Sequence, residues 1–180
     1  ALLTGCGTTP DFEYLESEDG RVFAKIPSDW QVVSEGAVQF KFIDPQEFAR
    51  FGVVAGDATQ PWRADFNNGQ PGVSASGYIE AQHLDARLRN AVRISDIARG
   101  QRPADATELR FDKVRVGDLT GYRSSYEYGE GDALRRVEDV YLTDQRRSAV
   151  YIASVECGID CYERTRDDIV EVVESLWVES

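Results

Sequence analysis

At 180 residues the chain is long enough to bury a sizeable core in one domain. Thirty-two acidic residues against twenty basic ones leave a net charge of −12, which disfavours a phosphate backbone or an anionic lipid surface, so nucleic acid is not an expected partner. No apolar run approaches the roughly 18 residues of a spanning helix, so attachment to a membrane would have to be covalent.

The first feature in chain order is Leu2-Leu3-Thr4-Gly5-Cys6, a short apolar run ending in Leu-x-Gly-Cys. It resembles the lipobox of bacterial lipoprotein precursors, in which the cysteine thiol takes a diacylglycerol and the signal peptide is cut just before it. On that resemblance Cys6 is the lipidation site, and residues 1–5 are what remains of a signal peptide. The alternative is a free or paired thiol in a tail. The other two cysteines, Cys157 and Cys161, are separated by Gly158-Ile159-Asp160. In an oxidising compartment they can close a small disulfide loop. A metal site is the competing reading, but with His83 as the one histidine it would have to draw on carboxylates.

Residues 7–18 lack periodicity and are polar and acidic, which reads as a tether, with a single α+β domain over 19–180. After Asp19-Gly20, the stretch Arg21–Ile26 alternates as a strand and stops at Pro27. Gln31–Val33 and Ala37–Ile43 read as further strands, and Phe51–Gly56 as a short buried one. Residues 57–76 fit no period, and a loop of that length in a small domain is often functional. It carries Trp62 and Phe66, which makes it the first candidate for a partner-docking surface; the alternative is that both tuck back over the core. Ser76-Gly77 then opens a predicted helix whose apolar positions are Ile79, Leu84, Leu88, Ala91 and Val92, with His83 beside the stripe as a structural residue. Residues 100–106 read as loop.

From there the pattern is strand after strand. Glu108–Val116, Leu119–Tyr128, Leu134–Leu142 and Ser148–Glu156 are separated by tight turns, so the last three form an antiparallel meander. Tyr122, Tyr126 and Tyr128 share one face of their strand, with Arg123, Ser125 and Glu127 on the other. Beyond the Cys157 to Cys161 loop a final helix is predicted over roughly 162–177, with Ile169, Val172, Val173 and Leu176 as its apolar stripe. An antiparallel sheet with helices against it is an α+β sandwich.

Several of these stretches are similar to the PsbP-like proteins, named for an extrinsic subunit of photosystem II. Phe23-Ala24-Lys25-Ile26-Pro27-Ser28-Asp29-Trp30 resembles the opening strand, Ile-Pro and following Trp of that family. Gly121-Tyr122-Arg123-Ser124-Ser125-Tyr126-Glu127-Tyr128 resembles its Gly-Tyr-x-x-x-Tyr-x-Tyr strand, and Val150–Ala153 and Ser175-Leu176-Trp177 fit the same scheme. The resemblance implies a sheet sandwiched by helices and a non-catalytic accessory or assembly protein. Bacterial members are frequently lipid-anchored on the outer face of the cytoplasmic membrane. The acidity and the single histidine depart from the photosynthetic branch, so neither a role in water oxidation nor metal ligands carry over, and no cofactor is expected.

Three function classes follow. An enzyme is disfavoured because no nucleophile and base stand at usable spacing. A carrier of a lipid or other apolar ligand could use Tyr122, Tyr126, Tyr128, Tyr141 and Tyr151 to line a pocket. A module docking on a membrane-associated protein complex needs an anchor, a tether and an exposed aromatic loop, and is the leading expectation.

Overall fold

The computed structural model describes residues 12–37, 62–69, 75–84, 89 and 93–179. Two antiparallel sheets and two helices make up these residues. The smaller sheet has the order β1-β2-β10, from Phe12–Glu16, Val22–Pro27 and Trp177–Val178. The larger has seven strands in the order β3-β4-β5-β9-β8-β7-β6. In chain order these are β3 Gln31–Ala37, β4 Trp62–Asn67, β5 Ser76–His83, β6 Thr107–Val116, β7 Leu119–Tyr128, β8 Arg135–Thr143 and β9 Ala149–Gly158. Helix α1 is Ile94–Gly100 and helix α2 is Ile159–Glu174. No helix among the described residues is long and apolar enough to cross a membrane.

The meander from β6 to β9 runs as the turn signals predict, with Gly117 and Gly129 at positive φ in its turns. Strand β6 forms one edge and is mostly exposed; Arg110, Asp112, Lys113 and Arg115 along it discourage pairing with another chain. The register places every second residue on a common face. Val140, Leu142, Ala153, Val155, Ile79, Ala64 and Phe66 thus share the side on which α2 and β2 pack, and they join Ile26, Ile169, Val172 and Leu176 in the main core. Tyr141, Val150 and Ile152 point to the opposite side and form a second cluster with Ile97 and Ala98 of α1. The sheet is therefore covered on both faces, in the manner of an α+β sandwich.

Four sequence-based expectations change. Residues 12–16, assigned to the tether, form β1, which pairs antiparallel with β2 and buries Leu15. Trp62–Asn67 is not loop but strand β4: Trp62, Ala64 and Phe66 face the core at 8%, 0% and 1% exposure. The helix predicted from Ser76 is strand β5 as far as His83; Ile79, Glu80 and Ala81 are buried in succession, so the strand loses the alternation that marks a half-exposed one. The last helix begins at Ile159, directly after β9, and ends at Glu174, leaving Trp177 on β10 beside Phe23. Its end is set by Ser175, whose hydroxyl donates to the Val172 carbonyl at 2.8 Å and accepts the Lys25 amide at 2.8 Å. Cys6 and the strand predicted at Phe51–Gly56 lie outside the described residues, as does that predicted at Ala37–Ile43 beyond Ala37.

Candidate functional site

Among the described residues, helix α1 packs on β7 and β8 of this sheet face, toward the β6 edge and away from β4 and β5. A hollow of about 490 Å³ lies on the same face. Tyr78 of β5, Tyr126 and Tyr128 of β7, Tyr141 of β8, Ser154 and Glu156 of β9 and Arg63 and Asp65 of β4 line it, with Gln101 and Pro103 from the segment after α1. Period-two geometry explains the gathering: each of these strands points alternate residues to this face, and antiparallel register brings Tyr78 opposite Ser154 and Asp65 opposite Tyr78.

The polar groups are arranged in two sets. At the rim, the Arg63 guanidinium stands 4.0 Å from the centre of the Tyr78 ring, donates to Asp65 Oδ1 at 2.7 Å and reaches Glu80 Oε2 at 3.2 Å. Tyr128 donates its hydroxyl to Glu156 Oε2 at 2.7 Å, and Arg135 Nε lies 3.3 Å from the other oxygen of that carboxylate. Beneath the tyrosines sits Asp139, fully buried. Ser124 donates to its Oδ2 at 3.4 Å and Tyr141 stands 3.5 Å from the same oxygen, while Oδ1 has no hydrogen-bond partner. Burial pushes the Asp139 carboxyl up to about 7, against the lowering effect of Ser154 and of the Arg102 charge. Burial likewise raises Tyr78, Tyr126 and Tyr141, with the Asp139 charge adding to it in each case. At neutral pH the wall is thus a set of uncharged phenols, able to donate hydrogen bonds and to present aromatic faces. Asp139 is titratable near neutrality but sealed from solvent, and the hydroxyls that meet it, those of Ser124 and Tyr141, are buried with it.

The sequence-predicted residues divide between the two faces of the sheet. Tyr126 and Tyr128 line the hollow, as the strand alternation predicts. Tyr122 is on their face but stacks on Phe111 with ring centres 4.7 Å apart, outside the hollow. Tyr151 is on the opposite side, since its neighbour Ile152 is the one paired with Tyr141, so it is not a wall residue. Trp62 and Phe66 are core residues; the Phe66 ring lies 5.8 Å from that of Trp30. His83 ends β5 exposed. Cys157 and Cys161 are both buried, as free thiols that interact with each other, and burial raises the Cys157 thiol well above its ordinary range.

Sequence reasoning missed Arg63, Tyr78, Asp139 and Ser154. A signal for Asp139 existed: Glu138-Asp139 sits inside Val137–Leu142, so in a strand covered on both faces one of the two acids must be buried on each side. In fact both are, Glu138 toward α2 and Asp139 toward α1.

On this geometry the chain is an α+β protein with the fold of the PsbP type. The solution structure of cyanobacterial PsbP (CyanoP) from Synechocystis matches with a TM-score of 0.57 and 12% identity, over 98% of this chain and 99% of that one. LpqN of Mycobacterium tuberculosis, involved in cell envelope biogenesis, matches with a TM-score of 0.55 and 10% identity, over 94% and 91% of the two chains. The Ran-binding protein Mog1p of Saccharomyces cerevisiae matches with a TM-score of 0.52 and 9% identity, over 94% and 96%. No protein-family model matches the chain, and no curated protein sequence does. At such identities the likeness is one of fold.

Proposed function

We propose that this is a non-catalytic binding protein of the bacterial cell envelope, lipid-anchored at Cys6 on the outer face of the cytoplasmic membrane, that engages a membrane-associated protein through its tyrosine-walled hollow. The observation that carries the reading is the hollow itself: aromatic rings and an arginine at a half-open rim are the side chains most often found at binding hot spots. The fold shared with CyanoP and LpqN, one a photosystem subunit homologue by name and one tied to envelope biogenesis, supports the setting. The docking surface proposed here replaces the Trp62 and Phe66 segment, whose aromatics are committed to the core.

Capture of partners from membranes with the lipidated protein, read by mass spectrometry, tests it. One complex should dominate, and Tyr128→Ala should reduce its recovery at least tenfold with an unchanged melting temperature, since Tyr128 is at the rim. Recovery that does not respond to Tyr128→Ala or Arg63→Ala would place the docking surface elsewhere. A second reading, carriage of a small ligand, is supported by the volume of the hollow, which falls in the range of small-molecule sites. Its polar wall favours a ligand with hydrogen-bonding groups among the lipids and other apolar ligands expected from the sequence. Native mass spectrometry of the protein taken from its own membrane would then show a bound mass that Tyr78→Ala removes.

A further inference from the structure

The outward face of the small sheet carries a second aromatic group. Tyr14 is 68% exposed and Trp177 is 47% exposed, and the Trp177 ring lies 5.3 Å from that of Phe23. Together with Lys25 they line a groove of about 500 Å³ against the last turn of α2. The register explains the exposure: Leu15, Val22, Ala24 and Ile26 take the inward positions of β1 and β2, so Tyr14, Phe23 and Lys25 must take the outward ones.

The charges around it are largely paired on a strongly acidic chain, with a small negative excess. Glu171 is paired with Lys25 at 3.2 Å, and Glu174 meets Arg123, which it shares with Glu138, while Glu16 is the remaining carboxylate on this face of β1 and β2. Tryptophan and tyrosine beside a lysine is the composition of surfaces that rest at the level of lipid headgroups. Net charge −12 argues against anionic lipid and leaves a zwitterionic surface.

The distance along the chain selects the occupant. Phe12, where β1 begins, is six residues from Cys6. Fully extended, that span covers about 20 Å, which is less than the diameter of about 30–40 Å expected for a domain of this size. A lipid on Cys6 therefore keeps the start of β1 within about 20 Å of the bilayer, so the small sheet is the part of the domain held nearest to it. We infer that the face formed by Tyr14, Phe23 and Trp177 rests on the zwitterionic surface of the bilayer in which Cys6 is anchored. The inference depends on the anchor proposed above. The tether raises the effective concentration of the bilayer surface to roughly the millimolar range, so a contact too weak to bind vesicles by itself is held closed. The hollow is on the other face of the seven-stranded sheet, so this posture turns it away from the membrane and toward a partner.

Tryptophan fluorescence tests the posture, because Trp30 and Trp62 are buried at 5% and 8% and Trp177 is not. The lipidated protein is reconstituted in phosphatidylcholine vesicles whose acyl chains carry bromine as a quencher. Trp177 emission should fall to about half or less, Trp177→Phe should remove the quenchable component, and anionic lipid added to the vesicles should weaken the effect. Protein that floats with the vesicles while Trp177 stays unquenched overturns the inference and leaves the anchor intact. If wild type and Cys6→Ser partition alike, the anchor itself fails and the inference falls with it.

Discussion

Gly121 lies against the backbone carbonyl of Tyr141 across the β7 and β8 ladder, with no room for a methyl group between them. A Cβ at residue 121 would overlap that oxygen, so this glycine, the first residue of the Gly-Tyr motif, is required by close approach and not by an unusual backbone angle. Gly121→Ala is expected to cost about 3 kcal/mol, as other forced overpacking does. Gly117, at φ +58 with open space around it, should lose only about 1 kcal/mol on the same change. Equal denaturation midpoints for the two variants would contradict the packing argument.

Asp139 makes stability depend on pH in a definite direction. Its carboxyl titrates at about 7 when folded against an ordinary value near 3.8, so the folded state holds a proton that the unfolded state has lost. Its contribution is complete below about pH 4 and declines as pH rises to 7, with a slope of about 1.4 kcal/mol per unit. Asp139→Asn removes the titration. The variant is expected to be more stable than wild type at pH 8, and the difference should shrink steadily toward pH 4 in urea titrations. A pH-independent difference would mean that the carboxyl is not the group responsible.

The opposite face holds a buried ion pair. Arg123 and Glu138, with side chains 8% and 5% exposed, approach to 3.8 Å under α2; Arg123 also pairs with Glu174, and Tyr162 donates to Glu138 at 2.7 Å. Glu138→Ala leaves a buried guanidinium half-compensated and should cost about 3 kcal/mol. Replacing both members, with Arg123→Met and Glu138→Leu, should cost less than the single change, and the thermal melts of the two variants decide it.

Trp62→Ala and Phe66→Ala each remove a large core side chain, and each should cost about 3–5 kcal/mol. Near-wild-type melting temperatures would restore the idea that these two rings face a partner.

The Cys157 and Cys161 thiols, free in the structure, interact where β9 passes into α2. Outside the cytoplasm they are expected to join, closing a small loop that contributes about 2 kcal/mol. Peptide mapping without reduction should recover them linked; two alkylated thiols in the denatured, unreduced protein would exclude it.

Alternation alone was enough to find the strands from Glu108 to Glu156, because their turns are marked by Gly117, Gly129 and Asp144 and their tyrosines repeat every second residue. The stripe Ile169, Val172, Val173 and Leu176 likewise announced the last helix, whose polar side faces water. What the local pattern could not settle were strands that bury successive residues on both faces. In β5 the sequence Ile79-Glu80-Ala81 buries apolar and charged residues alike, so neither period stands out, and a helix was the nearer match. The pairing of Arg63 with Glu80 and the placing of Arg102, just after α1, over Tyr126 join residues separated along the chain, and only the register of the seven-stranded sheet brings them together. The hollow is of the same kind: its tyrosines were visible one by one, but Asp139 beneath them depends on which face each strand turns inward, and a shift of one residue would have placed it on the other side.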